Sequence, residues 1–200
     1  MARHKEFDPG EAMKEAMEAF WERGYHGTSV NDLLAEMKLN RGSMYDTFGD
    51  KKSLFLATLA EYERQGREAV AEILNKPGSA KAAIRNFAYA SAEMCTGEAG
   101  ERGCLGLKAA LEMAPNDPEV AKWFREVTHE RESMIAKVIK RGQAEGEISA
   151  KLDARAVARY LMTSLAGLKV LGVSSPSTRD VREVLNLMLR VLDDPGTSGR

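Results

Sequence analysis

Residues 24–54, GYHGTSVNDLLAEMKLNRGSMYDTFGDKKSL, decide how this chain is read. They describe two short helices joined by a tight turn, followed by the start of a third. Thr28 and Ser29 are residue types that cap helix N-termini. Asp32 stands three places after Ser29, the spacing of a capping box, in which each side chain satisfies the other residue's backbone N–H. Val30, Leu33, Leu34 and Met37 recur at i, i+3, i+4 and i+7 and form one apolar helical face. Lys38 and Leu39 make the turn. Asn40 caps the next helix, which turns Met44 and Phe48 inward and presents Arg41, Gly42, Ser43, Tyr45 and Thr47 outward.

A short helix with an apolar underside and a small polar outer face fits the major groove of duplex DNA. Arg41 can give a bidentate pair to guanine O6 and N7. Gly42 carries no side chain and lets the backbone approach the groove closely. Ser43 can reach a base or a phosphate, while Tyr45, Thr47 and Lys51 suit phosphates. Lys51 lies in the first turn of the following helix, where the N-terminus already favours an anion. Thr28, Ser29, Lys38 and Asn40 complete the expected DNA-binding set.

These residues resemble the TetR-type (TetR/AcrR) family of bacterial transcriptional regulators. The family pattern is G-x-x-x-T-[ST]-V-x-x-[IL]-A, a turn, then S-[KR]-G-[ST]-[LM]-Y-x-x-F-x-x-K-x-x-L. Gly24, Thr28, Ser29, Val30, Leu33, Arg41, Gly42, Ser43, Met44, Tyr45, Phe48, Lys51 and Leu54 stand in that spacing. The chain departs from the pattern in three places. Lys38 stands where a turn glycine is usual, Asp46-Thr47 replaces the common x-His before Phe48, and Lys52 replaces an acidic residue. The resemblance implies an all-α fold of about nine helices. A helix-turn-helix domain over residues 1–52 would precede a ligand-binding and dimerisation domain over 53–194 and a disordered tail over 195–200. It further implies a repressor that binds a palindromic double-stranded DNA operator as a homodimer and answers to a small-molecule effector.

Composition agrees with an all-helical protein, being rich in Ala, Leu, Met, Glu, Lys and Arg and poor in Pro and aromatics. Charge does not advertise DNA binding. The chain carries 29 basic and 30 acidic residues, and residues 1–55 hold eight basic and ten acidic ones. Position matters more than the sum: most of those acids fall on the predicted first helix, while Lys38, Arg41, Lys51 and Lys52 cluster around the expected DNA face. Arg3 and Lys5, in the N-terminal arm, can also reach phosphates. Apolar runs are too short to cross a bilayer, and no apolar signal segment opens the chain, so no membrane partner and a cytoplasmic location are expected. There is no phosphate loop, no G-x-S-x-G, no H-E-x-x-H and no zinc-spaced cysteine pair. His4, His26 and His129 are scattered. No enzyme activity, metal or cofactor is expected. The alternative is a helical small-molecule-binding protein or enzyme that has lost DNA binding.

Farther along, Asp8-Pro9 opens the first helix and Gly24 closes it. Asp50 caps a long fourth helix, and Lys76-Pro77-Gly78-Ser79 is the first clear break. Thr96–Gly103 reads as a loop with three glycines, and Asp117-Pro118 and Asp153 start later helices. An effector pocket is expected among Phe87, Met94, Cys104, Met113, Trp123, Phe124, Met134, Tyr160 and Met162, since Met and aromatics suit an adaptable apolar site. The last two helices are the expected dimer surface, through Val157, Leu161, Leu165, Leu168, Val181, Val184, Leu185, Met188 and Leu192. The final helix is apolar over more than one stripe and must bury two faces. Cys104 opens a helix after Arg102-Gly103, so it reads either as a reactive thiol, with Cys95 as resolving partner, or as a plain small apolar residue.

Overall fold

The computed structural model describes residues 7–174 and 176–195. The arm residues Arg3, His4 and Lys5 and the tail beyond Pro195 lie outside the described residues. The described chain is all helical. Its helices are α1 (Pro9–Arg23), α2 (Val30–Glu36), α3 (Arg41–Phe48), α4 (Lys51–Leu74), α5 (Ala80–Glu93), α6 (Gly97–Arg102), α7 (Leu105–Met113), α8 (Pro118–Ala144), α9 (Ala154–Gly172) and α10 (Thr178–Leu189), with a 3-10 turn over Arg190–Asp193. The expected caps form. The side chains of Asp8, Ser29, Asn40 and Asp153 accept backbone N–H groups of α1, α2, α3 and α9, and Ser79, expected only as part of a break, does so for α5. Asp50 and Asp117 do the same for α4 and α8. Each satisfies an N–H that the helix itself leaves unpaired. The segment Thr96–Gly103, expected as a loop, instead contains α6, a helix of six residues ended by Gly103 at φ +71.

Two compact units emerge. The first, here called the head, takes the chain up to Gln65 together with Leu105–Phe124. Its core is built on Phe20, Leu33, Met44, Leu54, Phe55 and Leu59, all fully buried. Phe20 meets Phe55 edge-on at 4.9 Å, and Tyr25 runs nearly parallel to Phe20 and meets Phe55 at a tilt. At about 1.5–3 kcal/mol for each large apolar side chain removed from water, this cluster dominates the head's stability. Leu105, Ala109 and Met113 of α7 and Val120 of α8 belong to the same core. The head therefore does not end at residue 52, as the sequence suggested. It recruits α7 and the start of α8 from far along the chain, because their apolar stripe is buried with that of α1.

The second unit comprises Gly66–Cys104 and the chain from Arg125 onward. Its core gathers Ile84, Phe87 and Ala88 of α5, Ile135 and Ile139 of α8, Leu161 and Leu165 of α9, and Leu185 of α10. Glu147 accepts hydrogen bonds from the Ser79 hydroxyl (2.6 Å) and the Lys81 amide (2.9 Å). Asp193 pairs with Lys81 and Arg85.

One expectation about this unit is corrected. Val157, Leu161, Leu165, Leu168, Val181, Leu185, Met188 and Leu192 are buried inside the unit itself. They are core residues and cannot form an outer surface. Of the expected dimer set only Val184 is exposed, and it is joined by Leu187 on α10 and by Tyr160, Val170 and Leu171 on α9. Helices α9 and α10 do carry an outer apolar surface, but the stripe with regular spacing is the one that faces inward.

Candidate nucleic-acid interface

The helix-turn-helix is held by short-range bonds. Ser29 Oγ accepts the Asp32 N–H (3.1 Å), and Asp32 Oδ2 accepts the Ser29 N–H (2.8 Å), a complete capping box. The Ser29 hydroxyl, donating to the carboxylate, and then the Ser29 N–H hold the Asp32 carboxyl below its ordinary pKa. At the far end of α2 the Leu39 N–H reaches the Leu34 carbonyl (3.0 Å) and the Lys38 N–H the Ala35 carbonyl (3.3 Å). This is a Schellman ending, and it puts Lys38 in the left-handed region at φ +54. The family's usual glycine at this place has a clear reason, since the conformation penalises any Cβ. Asn40 Oδ1 then accepts the Ser43 N–H (2.9 Å) and starts α3.

Met44 is fully buried and fastens α3 to the core, while Arg41, Gly42 and Tyr45 are exposed and Ser43 and Thr47 half-buried. Arg41 Nη2 donates to Asn31 Oδ1 at 3.0 Å, so its guanidinium is already positioned by α2. Lys51 sits with its ammonium 4.2 Å from the centre of the Tyr25 ring. Partial burial pulls its pKa down, opposed by the negative charges of Glu112 and Asp32. Its aromatic support restrains a flexible side chain beside the N-terminus of α4.

Two expectations about this face are corrected. Thr28 is fully buried; its hydroxyl donates to the Gly24 carbonyl (2.7 Å) and lies 3.3 Å from that of Ala19. It fastens the turn between α1 and α2 and offers nothing to DNA. Lys52 does not join the DNA-facing bases. Its ammonium pairs with Asp117 (2.8 Å) and Glu119 (3.1 Å) at the start of α8. Sequence reading also misses Glu112. From α7 its carboxylate accepts the Tyr25 N–H at 2.9 Å and the His26 N–H at 2.7 Å. No local pattern announces a partner 86 residues away.

The expected pocket residues divide between the two units. Met113 and Trp123 belong to the head's core, whereas Phe87, Met134 and Met162 belong to the core of the second unit. Met94 and Tyr160 are 51% and 47% exposed. Phe124 lies against Trp123, with ring centres 6.4 Å apart. Phe87 and Met113 are buried core residues, and Met and aromatics mark burial as readily as they mark a cavity. An open cleft in the head is lined by Glu22, Arg23, Gly24, Lys108, Leu111 and Glu112, none of them in the expected pocket set. Cys104 is half-buried and Cys95 fully so; neither is in a disulfide. Burial raises the Cys95 thiol pKa, which makes it a poor resolving partner. Among the described residues no group of His, Cys, Asp and Glu is arranged to hold a metal, and no helix is long and apolar enough to cross a membrane.

Comparison with known proteins places this geometry. The family model described as "Bacterial regulatory proteins, tetR family" matches residues 12–58, and "Tetracyclin repressor-like, C-terminal domain" matches 80–195. An uncharacterised HTH-type transcriptional regulator of Bacillus subtilis, YezE, is 34% identical over 96% of this chain and all of its own length. The Escherichia coli repressor ComR is 25% identical over 94% of this chain and 90% of its own. Among solved structures, a cysteine-substituted form of the TetR family regulator CifR, bound to a 26-bp operator duplex, superposes with a TM-score of 0.84. It is 29% identical and covers 94% of this chain and 98% of that one. With capped α2, Schellman turn and polar α3 in place, and with both family patterns matched, the chain belongs to the TetR family: it is a helix-turn-helix DNA-binding transcriptional regulator and not an enzyme.

Proposed function

We propose that the chain is a homodimeric, ligand-responsive repressor that works in the cytoplasm on a palindromic operator. The observation that carries this reading is the outer face of α3. Arg41 is held by Asn31, Gly42 and Tyr45 are exposed, and the helix is fixed from beneath by Met44 and at its start by Asn40. In a symmetric dimer each α3 enters one major groove, and the half-sites lie a helical turn or more apart. The exposed apolar residues of α9 and α10 supply the surface that a second copy covers. An effector bound in the second unit is relayed along α4, whose residues are shared between the two units.

A gel shift of genomic fragments from around the protein's own gene tests this. Sequence-selective retardation at moderate salt is expected, and its absence overturns the reading. Arg41→Ala should cost about 1–3 kcal/mol per half-site and relax base preference at the position it reads. Unchanged selectivity in that variant would remove Arg41 as a base reader.

A further inference from the structure

The turn between α1 and α2 leaves backbone N–H groups that neither helix can satisfy. Those of Tyr25 and His26 both point at a single carboxylate, Glu112, with Oε2 taking the first and Oε1 the second. The fit is tight. Gly24 has φ +74, and a Cβ there would stand 2.7 Å from Glu112 Oε2. Close by, Lys108 of the same helix donates to the Trp21 carbonyl at 2.9 Å and fixes α7 against the end of α1. The turn held in this way carries Tyr25, and the Tyr25 ring carries the Lys51 ammonium. On the other side of Lys51, Lys52 is tied to Asp117 and Glu119. The segment Leu105–Phe124 therefore grips both neighbours of Lys51, its aromatic support and the next residue in its helix.

We infer that Glu112 is a positioning residue for DNA binding, acting through Tyr25 to fix Lys51 for a phosphate of the duplex. This rests on the reading of the head as DNA-binding. Glu112 touches no DNA in this scheme; its work is to hold the Tyr25 ring where Lys51 can use it. The idea makes a prediction of unusual sign. Taking a negative charge away from a DNA-binding surface should, by charge alone, strengthen binding. If Glu112 positions Lys51, its neutralisation weakens binding instead.

The test measures duplex binding by fluorescence anisotropy over a series of KCl concentrations, with wild type, Glu112→Gln, Lys51→Ala and the double variant. Glu112→Gln keeps the volume but has only one oxygen, so one of the two N–H groups meets an amide NH₂. It should bind the operator duplex about tenfold more weakly. The slope of log affinity against log salt should fall by about one per head, because one phosphate per head is no longer neutralised. Lys51→Ala should show the same slope change, and the double variant no further change. A merely structural Glu112 would lower the melting temperature and leave the salt slope alone. Glu112→Asp, which keeps the charge but shortens the reach, should behave like Glu112→Gln and serves if the latter folds poorly. Tighter binding, an unchanged slope, or slope losses that add in the double variant overturn the inference. Wild-type protein that binds no duplex at all overturns the regulatory reading and this inference with it, a result distinct from the others.

Discussion

α3 and α10 are both short amphipathic helices with one face in a core, and their outer faces could hardly differ more. On α3 the exposed residues are Arg41, Gly42, Asp46 and Tyr45, the last with a polar hydroxyl, and the helix is pinned by bonds within four residues of its start. On α10 the outer face includes Val184 and Leu187, large apolar groups that water does not favour, above an inner face of Val181, Leu185 and Met188. The first arrangement works by placing a few donors accurately. The second works by area, and an exposed apolar surface of this kind calls for a second protein surface. Exposed side chains on α3 should therefore matter to recognition and little to stability. On α10, neighbours two residues apart should separate folding from assembly.

That separation is the largest effect to look for. Leu185 is fully buried, and Leu185→Ala should cost about 2–5 kcal/mol of stability at every protein concentration. Leu187, 58% exposed, should behave otherwise. Leu187→Glu should leave the unfolding of the monomer within about 0.5 kcal/mol. It should also abolish the dimer in sedimentation velocity and remove the concentration dependence of Tm. If Leu187→Glu instead unfolds the chain while Leu185→Ala only dissociates it, the assignment of inner and outer faces is reversed.

The same contrast explains what can be read in the residues. The N-caps of α2 and α3 link positions three apart, Ser29 with Asp32 and Asn40 with Ser43, and such bonds are written in local order. Apolar periodicity on α9 and α10 is local too, but it says only that a face is buried. When a helix has two apolar faces, regular spacing picks out the core, and so spacing alone misassigns Leu161, Leu165 and Leu185 to the dimer surface. The bonds of Glu112 to the α1–α2 turn and the membership of α7 in the head depend on tertiary packing over more than eighty residues. Thr28 fits its family position well, and only the structure shows that its hydroxyl is spent on the Gly24 carbonyl. The short helix α6 is hidden in the sequence because its glycines argue for a loop.

Lys38 sharpens the comparison at a smaller scale. It occupies a left-handed turn position at φ +54. Lys38→Gly removes the Cβ strain, worth roughly 1–2 kcal/mol, at some cost in unfolded-chain entropy. A net gain of about 1 kcal/mol is expected in denaturant unfolding followed by tryptophan fluorescence. If Lys38 also meets a phosphate, the same variant should bind DNA more weakly at low salt. Greater stability with weaker binding would show that this lysine is kept for DNA against a cost in folding. A loss of stability would mean that the turn is not strained.

The smallest expected effect concerns acid. Both tryptophans, Trp21 and Trp123, belong to the head, so intrinsic fluorescence reports on that unit. The head's capping acids Asp32 and Asp50 are held below the ordinary Asp value by the hydrogen bonds they accept, and Asp117 by the Lys52 ammonium before its own backbone bonds. A carboxyl whose folded pKa lies below its unfolded one binds fewer protons when folded. The stability it lends is complete above the unfolded value, 3.8 for Asp, and drains away as pH falls through the lower folded value. The head should therefore lose stability as pH drops below about 4, with more than one proton taken up on unfolding. The apolar residues Val184 and Leu187 do not titrate and supply no such slope to the dimer surface. Glu147 and Asp193 of the second unit are lowered likewise, so acid alone does not isolate the head. Asp32→Asn does. Its carbonyl can still accept the Ser29 N–H, but the charge is gone, and the pH slope of the fluorescence-detected transition should shrink by at most about one proton. An identical slope in that variant would show that the capping box holds α2 by geometry alone and contributes nothing through its charge.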